Sequence, residues 1–137
     1  MPKLSMMLEM ADRDLRERIV KDVHDPNGSP WRWTDQQPTF KILVIDTDNL
    51  KLSADLTIWD GAFQQTGPVE LTFAINGKPL DKVRYTSPGY KHFEKPVPAG
   101  WVAADQDATI SATIDKLYVD RDHNQYGFIL TRIGFVQ

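Results

Sequence analysis

The most regular pattern in the chain is an alternation of apolar and polar residues within residues 67–85, with the two-residue period of a β-strand. The apolar positions of its first half are Val69, Leu71, Phe73 and Ile75. Asn76 and Gly77 follow them, and this pair readily adopts the positive φ angles that a tight hairpin turn requires. The stretch therefore predicts a β-hairpin.

The return strand of this hairpin is expected to be irregular. A two-residue turn with regular pairing would set Leu71 opposite Lys82 and mix apolar and charged groups on one face. One extra residue near residues 79–81 sets Leu71 opposite Val83 instead, and Pro79 lacks the N–H of a regular ladder. We therefore predict a β-bulge there.

Other segments also have strand patterns. Strands are predicted over residues 40–45, 50–59, 90–97, 109–119 and 126–135, and residues 62–66 are predicted to be a loop. The alternation in 50–59 points its leucines to the core and Trp59 to the opposite face. Two prolines, Pro96 and Pro98, indicate that 90–97 is an edge strand. A change of parity after Ile114 predicts a bulge or a sheet corner within 109–119.

The N-terminal segment has a different period. Its apolar residues recur at helical spacing, at Leu8, Ala11, Leu15, Ile19 and Val23. This spacing predicts one amphipathic helix over residues 5–23, with Ser5 as its N-cap. We expect the helix to pack on the strands. Binding to a partner or a membrane is the alternative, although its mixed charge is unlike that of helices that bind anionic lipid.

Short strands separated by Gly, Pro and Asn turns predict an all-β fold, an antiparallel β-sandwich with one N-terminal helix. A chain of 137 residues favours a single domain over residues 1–137, in which the helix occupies 5–23 and the sandwich 40–135. This length is sufficient to bury a hydrophobic core.

Composition excludes several classes of protein. The chain has no cysteine, which rules out disulfides, thiol catalysis and cysteine-ligated zinc. A net charge of −3 gives no indication of nucleic-acid binding. No apolar run approaches the roughly 20 residues that span a bilayer, and the N-terminus does not resemble a secretory signal. We therefore expect a cytoplasmic protein that contacts neither nucleic acid nor membrane.

The sequence contains no recognisable catalytic motif, so we predict that the protein is not an enzyme and assign no catalytic residue. None of its three histidines lies near a nucleophile motif such as G-x-S-x-G. Residues 120–124 have D-x-D-x-N spacing, which begins like a calcium loop. The loop then has Gln125 where it requires glycine and Thr131 where it requires glutamate. We predict no metal site and no cofactor, with a structural Ca²⁺ at this loop as the alternative.

Aromatic residues are the best candidates for ligand contacts. Trp31 and Trp33 flank Arg32, an arrangement suited either to a cation–π sandwich or to a platform for the C–H face of a sugar. They could equally close one end of the core. Trp59 is predicted to be exposed beside Asp60, where it could contact a sugar or be covered by the helix.

Three segments together resemble the galactose-binding-like jelly-roll family, the sandwich of many carbohydrate-binding modules. They are the hairpin FAINGKPL, the segment YKHFEKPVPAGW, and TISATIDKLYV with the closing strand GFILTRIGF. The segments SPWRWT, TGPVELTFAINGK and GFILTRIGF also resemble an uncharacterised bacterial family. The jelly-roll resemblance covers residues 40–135. It implies a jelly-roll fold with ligands bound by loops at one end or on a concave sheet face.

We therefore predict a non-catalytic ligand-binding module, with carbohydrate as the expected ligand. The alternative is a protein–protein interaction or assembly module that docks another chain on the helix or on the 90–97 edge strand. The predicted ligand-binding residues are Trp31, Arg32, Trp33, Trp59, Asp60, Tyr90 and His92.

Overall fold

The computed structural model describes residues 6–26 and 28–137, apart from the side chain of Arg13. The elements in chain order are β1 (Met7–Glu9), a 3₁₀-helix (Arg13–Arg18), β2 (Ile19–Val23), β3 (Arg32–Val44), β4 (Lys51–Ile58), α1 (Asp60–Thr66), β5 (Val69–Ile75), β6 (Lys78–Tyr85), β7 (Gly89–Pro96), β8 (Gln106–Ile114), β9 (Tyr118–Val119), β10 (Gln125–Tyr126) and β11 (Ile129–Val136). Within these residues, no helix has both the length and the apolar character needed to cross a membrane.

The main strands form two antiparallel layers. One has the order β1-β11-β4-β7 and the other β2-β3-β8-β5-β6. The layers are joined because the first residues of β3, Arg32 and Trp33, pair with β11, whereas residues 39–44 pair with β8. The orders β1-β11-β4-β7 and β3-β8-β5-β6 are those of a jelly roll built from two Greek keys. The predicted all-β antiparallel sandwich is confirmed.

The core lies between the two layers and is formed by the inward residues of alternating strands. In β4 the alternation points Leu52, Ala54 and Leu56 inward, and all three are fully buried. Phe73 of β5 and Phe93 of β7 stack across the interior, with ring centroids 3.8 Å apart. This contact joins the two layers of the sandwich at its centre.

The hairpin of β5 and β6 has the predicted register. Leu71 pairs with Val83 and Val69 with Tyr85, and Leu80 is the extra residue between the paired positions 79 and 81. Asn76 and Gly77 have φ angles of 51° and 81°, as a tight turn of this type requires. The predicted bulge is confirmed.

The predicted helix over residues 5–23 is wrong. Residues 7–9 instead pair with β11, residues 13–18 form a single 3₁₀-helix, and residues 19–23 pair with β3. Both sheets thereby gain a strand at an edge where backbone groups would otherwise be unpaired. The buried apolar residues of the segment are Met6 and Met10, which flank β1, and Leu15 of the 3₁₀-helix. Ser5, the predicted N-cap, lies outside the described residues.

Three further boundaries differ from the prediction. Residues 60–66 form the short helix α1 rather than a loop, and it ends at Gly67, whose φ is 71°. Strand β3 begins at Arg32 rather than at residue 40. The parity change after Ile114 marks the point where β8 ends, because the chain continues into the small separate sheet of β9 and β10.

Candidate functional site

Three segments meet at one end of the sandwich. Strand β3 begins there, β4 ends there, and β11 begins there, because these strands pair antiparallel through Trp33, Ile129 and Thr57. Helix α1 and the β9–β10 hairpin lie at the same end. Between them is a cavity of about 430 Å³, which we call the aromatic cleft, lined by Trp31, Trp33, Trp59, Tyr118, Asp120, Tyr126 and Ile129.

The aromatic rings of the cleft contact one another around Trp33. Its ring centroid lies 5.3 Å from that of Tyr126, 5.9 Å from that of Trp59 and 6.4 Å from that of Tyr118. These separations fall in the range of favourable aromatic pairs. Trp31 and Trp59 are nevertheless 36% and 42% exposed, so the cluster retains open aromatic surface.

A buried threonine holds the strand that carries Trp33 against the segment that carries Tyr126. The Thr34 backbone N–H and hydroxyl both donate to the Phe128 carbonyl, at 2.9 and 3.0 Å. The Gly127 N–H donates to the Thr34 carbonyl at 2.7 Å. Gly127 is required here because a Cβ would overlap the backbone carbonyl of Asp35. Thr34 therefore fixes the distance between two walls of the cleft.

A side-chain amide holds the third wall. Gln65 of α1 donates from Nε2 to the Val119 carbonyl at 3.0 Å and accepts the Val119 N–H at 2.8 Å. This pair of hydrogen bonds positions Tyr118 against Trp59. The centroids of the Tyr118 and Trp59 rings are 5.3 Å apart. On the other side, the Trp59 ring lies where a Cβ on Gly61 would be, so glycine at position 61 lets the ring fold over α1.

Asp120 is the carboxylate of the cleft and closes the turn between β9 and β10. Its Oδ1 accepts the backbone N–H groups of Asp122 and Asn124, each at 2.9 Å. Burial raises the pKa of Asp120, but the hydrogen bonds from Asn124 and Asp122 outweigh it and lower the pKa overall. The D-x-D-x-N spacing is thus used for a turn. Among the described residues, no group of three or more His, Asp or Glu side chains could hold a metal ion.

The same carboxylate acts on Tyr126. Burial raises the pKa of Tyr126, and the negative charge of Asp120 and a hydrogen bond to its carboxylate raise it further, followed by the charges of Asp35 and Asp122. Asp35 Oδ1 in turn accepts a hydrogen bond from His24 Nε2 at 2.8 Å. The His24 ring also packs on Tyr126, with centroids 5.3 Å apart.

Only some of the predicted ligand-binding residues meet in the cleft. Trp31, Trp33 and Trp59 line it. Arg32, between the two tryptophans, is only 6% exposed, and its Nε donates to the Met10 carbonyl at 2.9 Å. It ties the N-terminal segment to β3 and does not reach the cleft. Asp60 is exposed in the first turn of α1 and is not among the lining residues.

Tyr90 and His92 belong to a separate group, which we call the polar cluster, consisting of Asp55, Tyr90, His92 and Arg132. It lies on the outer face of the first sheet, where Asp55 of β4 pairs with His92 of β7 and with Arg132 of β11. Asp55 is 2.5 Å from the Tyr90 hydroxyl, 2.7 Å from His92 Nδ1 and 2.8 Å from Arg132 Nε. Arg132 also forms an ion pair with Glu9 of the neighbouring strand β1. Negative and positive side chains therefore alternate across the sheet from Asp55 to Arg132 to Glu9.

Sequence reasoning missed Tyr118, Asp120 and Tyr126. The two tyrosines flank residues 120–124, and the Asp and Asn residues there, typical of a tight turn, are the signal that could have predicted a short hairpin. The segment was instead divided between two long strands, which placed both tyrosines within sheets.

Comparison with known proteins gives a fold and no family. No family model and no curated protein matches the chain. Among solved structures, it is similar to a family GH115 4-O-methyl-alpha-glucuronidase with specificity for decorated arabinogalactans, with 12% identity and a TM-score of 0.55. The match covers 99% of this chain but only 18% of that enzyme. This likeness shows the fold alone and agrees with the predicted β-sandwich.

Two single modules are also similar. One is a family 35 carbohydrate-binding module from Clostridium thermocellum, with 9% identity and a TM-score of 0.47 over 87% of this chain and 86% of the module. The other is a CBM35 from Paenibacillus barcinonensis, with 11% identity and a TM-score of 0.45 over 97% of this chain and 99% of the module. These likenesses are weaker, and the fold assignment rests on the first.

Proposed function

We propose that the chain is a non-catalytic carbohydrate-binding module and that sugar rings lie in the aromatic cleft. The observation that carries the proposal is the cleft itself, in which five aromatic side chains surround about 430 Å³. A pyranose ring has C–H bonds on its faces and hydroxyl groups around its rim. It therefore fits a site with aromatic walls and a few polar groups, the usual composition of small-molecule sites.

The lining of the cleft favours binding rather than hydrolysis. Glycoside hydrolases generally place two carboxyl groups on either side of the scissile bond. Among the described residues that line the cleft, Asp120 is the only carboxylate, and its Oδ1 is already engaged by the turn that it closes. Asp120 is suited to accept a hydrogen bond from the rim of a bound sugar.

The alternative, a module that docks another protein chain, has less support. Strand β7 is an edge strand and could in principle add a strand from a partner. Its residues Lys91, Glu94 and Lys95 are charged, and it ends at Pro96. Charges and proline on an edge are features that prevent pairing with other chains.

The proposal can be tested by titrating the protein with oligosaccharides and following tryptophan fluorescence and heat of binding. The panel contains β-linked gluco-, manno- and xylo-oligosaccharides together with decorated arabinogalactan, because the glucuronidase that is similar over 18% of its own length has specificity for decorated arabinogalactans. We expect saturable binding of at least one glycan by the native chain. Trp59→Ala should weaken binding by about tenfold because it removes an open wall of the cleft.

The matched control is Trp101→Phe. Trp101 packs against the core away from the cleft, with Lys78 Nζ 5.6 Å from its ring centroid. This variant should bind as the native chain does. Equal loss of binding in both variants, or no binding by the native chain across the panel, would contradict the proposal.

A further inference from the structure

The aromatic cleft is negatively charged. Among the described residues that line it, Asp120 is the one group that carries charge at neutral pH. Asp35 and Asp122 lie close enough to act on Tyr126, which forms the same wall. The nearby basic side chains are placed differently: His24 is engaged with Asp35 at 2.8 Å, and Arg121 and His123 are exposed on the hairpin tip outside the lining.

Asp120 can accept a hydrogen bond from a ligand. Its Oδ1 accepts two backbone N–H groups, and the bond from the Asn124 amide to Oδ2 is long, at 3.4 Å. A hydrogen bond with the Tyr126 side chain also lowers the pKa of Asp120. A carboxylate offers about four acceptor sites. The backbone hydrogen bonds also lower the pKa of Asp120, so the group remains an anion well below neutral pH.

Aromatic faces and a carboxylate together form a site that is attracted to cations. A protonated amine within about 6 Å of an aromatic centroid gains from the ring quadrupole. The same amine can donate a charge-assisted hydrogen bond to Asp120 Oδ2. A neutral hydroxyl group makes neither the cation–π contact nor the charge-assisted hydrogen bond. A carboxylate on the sugar would be repelled by Asp120.

Building on the proposed function, we propose that the aromatic cleft selects amino sugars that carry a protonated amine, such as glucosamine units, over neutral sugars and over uronates. The discrimination is assigned to Asp120 and to the rings of Trp33, Tyr118 and Tyr126, which line the same cavity.

The test uses three hexasaccharides that share one β-1,4-glucopyranose backbone and differ at C2, which carries a hydroxyl, an acetamido or an amino group. At about pH 5.5 and low salt, the amino form should bind about tenfold more tightly than the hydroxyl form. The preference should weaken in high salt and disappear at about pH 9, where the amine is neutral. An oligogalacturonate should bind more weakly than the neutral hexasaccharide.

Asp120→Asn should remove the preference, measured within the variant as the ratio of its affinities for the amino and the hydroxyl hexasaccharide, which should fall from about tenfold to about one. The asparagine oxygen can still accept the backbone N–H groups of the turn, and a thermal unfolding curve verifies that the variant folds. The matched control is Asp107→Asn, which removes the same charge at the opposite end of β3. It should retain the preference.

Equal affinities of the native chain for the amino and hydroxyl hexasaccharides would overturn the amino-sugar inference and leave the proposed function standing. An amino preference that survives in Asp120→Asn would also overturn it. Failure of all three hexasaccharides and of the wider glycan panel would overturn both.

Discussion

The aromatic cleft and the polar cluster contain similar residue types but differ in what they leave available. In the polar cluster, Asp55 is only 8% exposed and is contacted by Tyr90, His92 and Arg132. In the cleft, Trp31 and Trp59 keep more than a third of their surface exposed around an open cavity. The first group uses its polar atoms within the fold, and the second presents aromatic surface to the outside.

This difference separates a structural role from a binding role. Buried polar groups are normally paired within the fold, so the contacts of Asp55 are what the stability of the outer face requires. Clustered, exposed apolar surface is uncommon on a folded domain and usually marks an interaction site. Tyr90 and His92 were grouped with the tryptophans because their residue types suit ligand contacts, but the structure places them in the polar cluster.

The largest effect on this comparison is expected from Trp33→Ala. Trp33 contacts the rings of Trp59, Tyr118 and Tyr126, so its loss removes the centre of the cleft. We expect the affinity for the bound glycan to fall by about 30-fold or more, the size typical of a central aromatic contact. Calorimetric titration checks this. Tyr90→Phe in the polar cluster is the control and should keep the native affinity; a comparable loss there would break the distinction.

Asp55→Ala should lower the stability of the fold and leave glycan binding nearly unchanged. It removes the acceptor shared by three side chains and should lower the free energy of unfolding by about 1–2 kcal/mol, a modest value because His92 and Arg132 are half exposed. Urea unfolding measures the change, with Asp107→Ala as a control at an exposed carboxylate. Glycan affinity should stay within about twofold of the native value. A large loss of affinity would show that the polar cluster is part of the site.

Gly61→Ala should weaken binding without weakening the fold. A Cβ at position 61 would overlap the Trp59 ring and force it to move. We expect affinity to fall by about three- to fivefold, whereas helix stability should be equal or higher because alanine is the better helix former. Gln64→Ala, an exposed position on the same helix, is the control. Native affinity in Gly61→Ala would show that the position of the Trp59 ring does not matter.

The smallest expected effect is on acid stability. Burial raises the pKa of Asp55, but hydrogen bonds from Tyr90 and His92 and the charges of His92 and Arg132 outweigh it and lower the pKa. A lowered pKa stabilises the fold fully above the unfolded value of about 3.9, and this contribution is lost as pH falls through the folded value. The stability difference between the native chain and Asp55→Asn should therefore shrink below about pH 4. A constant difference would contradict this assignment.

Local patterns predicted the parts of the fold that local physics determines. The β5–β6 register followed from alternation and the Asn76 turn, and the exposure of Trp59 followed from parity along β4. The N-terminal segment was mispredicted because apolar residues at helical spacing were distributed over two edge strands and a 3₁₀-helix. Tertiary pairing overrides helical propensity in such a case.

The cleft could be predicted only in part because long-range contacts assemble it. Thr34 and Phe128, which set two of its walls, are 94 positions apart, and Gln65 and Val119 are 54 positions apart. No pattern within a window of the sequence reports such contacts. The tryptophans were identifiable by residue type, whereas Tyr118 and Tyr126 become part of the site only after β9 and β10 pair.

The most direct test of the account uses the four tryptophan indole N–H groups as reporters in an NMR titration with a glycan that binds. The account predicts that the indole signals of Trp31, Trp33 and Trp59 shift with one common affinity, while those of Trp101 and the imidazole of His92 stay in place. Shifts confined to His92 or Trp101, with the three cleft tryptophans unchanged, would contradict it.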